Sequence, residues 1–183
     1  TPLTALKLGE LIKDIVPPGV VNIIADNNEL GGEMTKHPGI RKISFTGSTE
    51  TGKKVMASAA DALKRVSLEL GGNDALIVLD DVNVAETAPK VFGAAMQNAG
   101  QVCIAAKRIY VHESMYDAMC DEFARLAGEM VVGDGLEQGV QMGPLQNKAQ
   151  FEKVLGFIES AKKDGKVIAG GGRKGDKGYF IQP

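Results

Sequence analysis

Three stretches of this chain carry residue types that can act together on a carbonyl compound and a phosphate. Asn98-Ala-Gly-Gln-Val-Cys103 sets a cysteine in a small, turn-prone run. A thiolate attacks carbonyl carbon, backbone at Gly100-Gln101 can come close to a substrate, and a nearby amide can receive the oxyanion that forms. Taken alone, a single cysteine is more often a small buried apolar residue than a nucleophile; the glycine and glutamine beside Cys103 tip the reading toward chemistry. Upstream, Leu68-Glu-Leu-Gly-Gly72 puts Glu69 in an apolar strand just before a glycine pair. Such a carboxylate serves as a general base on water in partly dry surroundings, or stands exposed at a strand end. Earlier still, Phe45-Thr-Gly-Ser-Thr-Glu-Thr-Gly52 joins an apolar strand to a helix. Glycines there let backbone amides and a helix N-terminus meet a phosphate, or simply punctuate the turn.

Other candidates carry less. Gly47-Ser-Thr-Glu-Thr-Gly-Lys53 satisfies all but the last position of a P-loop, and the Leu-Ile-Val-Leu-Asp80 run resembles the acidic strand that accompanies one. Lys54 stands where a hydroxyl should hold magnesium, which argues against a nucleotide hydrolase. Cys120 lies beside Met119 and Phe123 at helical spacing and reads as packing. His37 and His112 show no carboxylate or hydroxyl partner at a suggestive spacing. Two cysteines without a Cys-x-x-Cys, and two histidines of which neither stands at a zinc-site spacing from a cysteine, give no zinc pattern, so no metal is expected. A net charge of -2 and a pI of 5.7 lend no support to nucleic acid or acidic membrane as partners. No apolar run reaches the length of a membrane span and no signal peptide opens the chain, while free thiols suit a reducing compartment, so cytoplasm is the expectation.

The elements that must position these groups alternate in type. Thr1-Pro2 caps a helix reaching about Asp14, and Val20 to Ile24 reads as a strand. A short helix from about Asn28 to Lys36 leads to the strand Lys42 to Thr46. The Gly47 turn opens a helix to about Ala60, followed by a strand at Arg65 to Leu70. Ala75 to Leu79 is a continuous apolar run of the kind buried on both faces of a sheet. A helix from about Val84 to Asn98 contains Pro89, which predicts a late start or a kink. A strand over Lys107 to His112 follows, then a helix capped by Ser114 with Met115, Met119, Phe123, Leu126 and Met130 on one face. A glycine-rich loop, a helix from about Lys148 to Lys163, a strand at Val167 to Ala169 and an apolar stub at Tyr179 to Ile181 complete the chain. With 44% apolar residues, this alternation predicts an α/β fold of parallel β-α-β units.

Together, Glu69-Leu-Gly-Gly and Asn98-Ala-Gly-Gln-Val-Cys103, in that order and spacing, resemble the aldehyde dehydrogenase family. The resemblance covers essentially the whole chain, which looks like a middle piece of such an enzyme. It implies that residues 1–71 form the later part of a Rossmann-like NAD(P)-binding domain and residues 72–183 the first part of the catalytic domain. It also implies that Cys103 is the nucleophile and Glu69 the base. Gly47 and Ser48 then meet the cofactor pyrophosphate, while Thr46, Gly71 and Leu70 line the nicotinamide half. The expected cofactor is NAD or NADP, the substrate a small aldehyde, and the assembly a homo-oligomer. The family's oxyanion asparagine and its ribose-holding residues fall outside residues 1–183, so NAD and NADP are not distinguished. Ala25-Asp-Asn-Asn28 departs from the glycine-bearing turn usual beside the adenine. Glu69 favours hydrolysis to the acid over transfer of the acyl group to coenzyme A. The alternatives are a non-catalytic folded piece and a nucleotide-binding module.

Overall fold

The computed structural model describes residues 2–27 and 29–183. The expected cap at Thr1 and helix start at Asn28 fall outside the described residues. The chain forms two compact units, Thr1–Leu70 and Gly71–Pro183. Both are α/β, and both are built on a pair of parallel strands.

In the first unit, helices α1 (Pro2–Ile12) and α2 (Leu30–Lys36) precede a β-α-β run of β1 (Lys42–Thr46), α3 (Thr49–Ala60) and β2 (Arg65–Glu69). The strands pair in parallel from Lys42 opposite Arg65 to Thr46 opposite Glu69. A helix must span such a pair, because parallel neighbours cannot be joined by a hairpin. Gly52, Val55 and Ala59 form the buried stripe of α3. Asp26 accepts from the Glu29 and Leu30 amides and so starts α2. Lys64 closes the other end of that helix by donating to the carbonyls of Thr35 and His37, at 2.9 and 2.6 Å. Cations at a helix C-terminus complement its dipole.

The second unit holds β3 (Asp74–Val78), α4 (Val84–Met96), β4 (Ala106–Val111), α5 (Tyr116–Glu129) and α6 (Lys148–Asp164). Val78, Ala88, Val91, Met115 and Met119 make its main core, with Ile109, Phe123 and Leu126 packed against them. Leu145, Phe151 and Ile181 make a second cluster under α6, which also receives Ala99.

Several expectations change. Val20 to Ile24 is not a strand: it pairs with nothing among the described residues, and Val20 and Ile24 are exposed. Val167 to Ala169 is irregular for the same reason, and the Tyr179 to Ile181 stub contributes one bridge, from Ile181 to Arg173. The apolar run at Ala75 is not covered on both faces, since Val78 is buried but Ile77 remains 70% exposed. A two-stranded sheet with helices on one side leaves its other face open. Helix α4 begins at Val84, capped by Asn83, and continues through Pro89 without the late start. It stops at Met96, short of Asn98. Ser114 does not cap α5, which starts at Tyr116 after Met115 without a side-chain cap; Ser114 lies in a short 3-10 turn, Glu113–Met115, whose cap is His112. The His112 Nδ1 accepts from the Ser114 amide and lies 2.8 Å from the Ser114 hydroxyl, so this histidine has the partner its spacing did not suggest.

Candidate active site

The turn after β1 is built by a serine at the right position. Ser48 is extended, and its Oγ accepts from the Thr51 amide, which makes it the N-cap of α3. The amides of Thr49 and Glu50 in the first turn have no acceptor among the described residues. They point out of a helix end with partial positive charge, an arrangement suited to an anion. Gly47 lacks the Cβ that would meet the Phe45 ring at 2.5 Å, and its amide donates to the Glu69 carbonyl at 3.0 Å. Leu70 lies over Gly52, where a Cβ would sit 2.7 Å from a Leu70 methyl. Thr46, Gly47, Glu69 and Leu70 are therefore brought together at the carboxyl ends of β1 and β2. The Glu69 carboxylate is exposed and has no hydrogen-bond or ion-pair partner among the described residues. Lys53 turns to Glu50 at 3.4 Å, away from the role a P-loop lysine would play.

Cys103 belongs to the second unit. It occupies the second position of a turn closed by the Ala105 amide donating to the Val102 carbonyl at 3.1 Å. The residues that lead into it are unusual. Asn98 (φ 51°), Ala99 (φ 56°) and Gly100 (φ 73°) are consecutive left-handed residues. Only glycine adopts that region freely, so Asn98 and Ala99 must be held there by their surroundings. The Asn98 amide side chain donates to the Gln101 carbonyl, the Gln101 side chain donates back to the Asn98 carbonyl, and Ala99 is packed into the α6 cluster. Gln101 also accepts from the Gln146 amide at 2.9 Å, tying the cysteine segment to the loop before α6.

Gly72 comes close to this turn. A Cβ on Gly72 would lie 2.8 Å from the Cys103 carbonyl oxygen, so the two backbones meet where no side chain fits. Arg108 donates to the Asn73 carbonyl at 2.9 Å and fastens the same loop to β4. Cys103 is exposed, with a thiol and an amide that have no partner among the described residues. Cys120 is half-buried on α5. The neighbouring Cys120 thiol holds the Tyr116 phenol above the usual tyrosine range.

Gln101 and Lys107 were missed as supports of the cysteine turn. The Gly-Gln pair hinted at the first. Lys107 gave no signal, because a lysine at the head of a strand is ordinarily solvated.

The family model described as "Aldehyde dehydrogenase family" matches residues 1–183. A probable aldehyde dehydrogenase from a Pseudomonas species is 48% identical over 177 residues, covering 96% of this chain and 36% of the relative. A mouse protein named aldehyde dehydrogenase, cytosolic 1 is 44% identical, covering 100% of this chain and 37% of its own length. The solved NAD+ complex of an aldehyde dehydrogenase from Bacillus cereus superposes with a TM-score of 0.95 at 41% identity, covering 100% of this chain and 38% of that one. This chain thus spans less than two fifths of the length of each.

Proposed function

Because this chain belongs to the aldehyde dehydrogenase family, we propose that its residues serve the NAD(P)-dependent oxidation of an aldehyde to a carboxylic acid. The observation that carries the reading is the exposed Cys103, set at a turn with neither its thiol nor its own amide partnered among the described residues. The Cys103 thiolate attacks the carbonyl carbon, forming a C–S bond while the carbonyl π electrons move onto oxygen, and the Cys103 N–H donates a hydrogen bond to that oxyanion. A bound NAD or NADP would supply the hydride acceptor for that carbon as its C=O bond re-forms. The thioester left on Cys103 is opened by water. Glu69 takes the proton, the water oxygen bonds to the acyl carbon, and the C–S bond breaks to return the thiolate.

The Ser48-capped end of α3, whose Thr49 and Glu50 amides have no acceptor among the described residues, fits the cofactor's pyrophosphate, and Gly47 and Ser48 are assigned to it. Thr46, Leu70 and Gly71 are assigned to the nicotinamide half by the same resemblance. The 1–71 part then serves the cofactor and the 72–183 part the cysteine. Of the two oxyanion donors expected, only the Cys103 amide lies in these residues. Lacking one such donor lowers kcat by roughly 10²–10³, so the 183 residues by themselves are expected to oxidise aldehyde slowly.

The test is a race between the two thiols. Brief treatment of the folded chain with iodoacetamide, read by peptide mass spectrometry, should label Cys103 well before Cys120, since reactivity follows thiolate fraction and access. Equal labelling, or Cys120 first, would sink the assignment.

Among the described residues no helix is long and apolar enough to cross a membrane, and free thiols suit the cytosol. Leu3, Leu11 and Ile15 in the first unit, and Ile77 and Leu79 in the second, are exposed. We assign these apolar surfaces to self-association. Light scattering at rising concentration should show oligomers, and a clean monomer throughout would contradict this.

A further inference from the structure

Lys107 stands outside the regular ladder of β3 and β4. Asp74 pairs with Ala106 and Ala75 with Arg108, which leaves Lys107 as the extra residue of a bulge at the head of β4. A bulge interrupts the alternation of side chains and re-aims one of them. Here it turns the ammonium back over the turn that precedes the strand. Nζ donates to the carbonyls of Val102, Cys103 and Ala105, at 2.9, 3.0 and 3.1 Å. Those bonds occupy all the donors an ammonium has. Among the described residues no carboxylate competes for it.

The bond to Val102 is the consequential one. That oxygen already accepts from the Ala105 amide, and Lys107 adds a second, charge-assisted bond to it. The Val102–Cys103 peptide is planar and trans, so holding its oxygen sets the direction of the N–H on its opposite edge. That N–H is the Cys103 amide, which has no acceptor among the described residues. A cation on the carbonyl also polarises the peptide and makes its N–H a stronger donor.

We propose that Lys107 is a positioning residue for the thiol chemistry: it clasps the Val102–Ala105 turn and so aims and strengthens the Cys103 N–H as an oxyanion donor. The proposal rests on the reading of Cys103 as a nucleophile. Lys107 touches no substrate and acts only through the backbone it holds.

The experiment compares two reactions at Cys103 in the 183-residue chain and in its Lys107→Met and Lys107→Arg variants. Acylation by 4-nitrophenyl acetate passes through an oxyanion, whereas alkylation by iodoacetamide displaces iodide and forms none. Both are followed by mass spectrometry of the Cys103 peptide. Loss of a whole oxyanion donor is worth roughly 10²–10³, and a misdirected donor should forfeit part of that. Lys107→Met should therefore acylate about tenfold more slowly while its alkylation rate changes less than about twofold. Lys107→Arg, which keeps a cationic donor, should lie nearer the parent. Unchanged acylation in Lys107→Met would overturn the proposal. So would acylation and alkylation falling in parallel in both variants, because that is what a merely structural lysine would produce. A parent chain that alkylates at Cys103 but is not acylated there would overturn the nucleophile reading itself, and this inference with it.

Discussion

Cys103→Ala is expected to abolish acylation of the chain by 4-nitrophenyl acetate at that site and to remove whatever aldehyde oxidation the 183 residues support. Loss of a covalent nucleophile costs on the order of 10⁶ in kcat where the remaining groups cannot take over. Cys120 does not substitute, since it sits half-buried on α5 whereas Cys103 is exposed at a turn. The fold should be untouched. The Cys103 side chain is exposed and has no partner among the described residues, so its truncation belongs to the surface class, within about 0.5 kcal/mol of neutral. Activity lost at constant stability is the expected pair of results. They are checked by acyl-peptide mass spectrometry and NAD(P)H absorbance beside urea unfolding. Retained turnover in this variant would mean that another group attacks the carbonyl.

Met119→Ala should produce the opposite pair: little direct effect on the thiol, and a large loss of stability in the second unit. Met119 is 1% exposed and sits in the core with Val78, Ala88, Val91 and Met115. Removing a buried side chain of this size costs about 2–5 kcal/mol in transfer and cavity terms. Domains are stable by only about 5–15 kcal/mol, so the loss takes a large share. Hydrogen exchange resolved by peptide should show faster exchange in β3, α4, β4 and α5. Exchange in α3 and β2 should be unchanged, because those elements have their own buried stripe of Val55 and Ala59. A urea midpoint equal to the parent's would show that the pocket around Met119 collapses without penalty.

Much of the molecule was legible before any coordinate. Local signals survive translation into structure when the partner they need is close in the chain. Ser48 caps the helix that follows it because the amide it accepts lies three residues on. The β1-α3-β2 run forms because apolar strands and a helix of matching length follow one another directly. The stripe of Met115, Met119 and Phe123 reached the core because helical spacing alone puts those residues on one face. The family was likewise legible, because its signatures around Glu69 and Cys103 are short and contiguous.

What tertiary structure decided is what depends on distant partners. An apolar run becomes a strand only if a neighbour supplies its hydrogen bonds, which Val20 to Ile24 lacks among the described residues. A strand is covered on both faces only if something packs on each, and Ile77 is left 70% exposed. The left-handed backbone at Asn98 and Ala99 is unfavourable for those residue types in isolation, so no local propensity announces it; Gln101 and the α6 cluster hold it in place. Lys107 is the clearest case. Its sequence position marks an ordinary solvated lysine, and only the bulge created by pairing with β3 turns it onto the Val102–Ala105 carbonyls. Residue type and spacing named the thiol, while long-range pairing determined which backbone groups surround it.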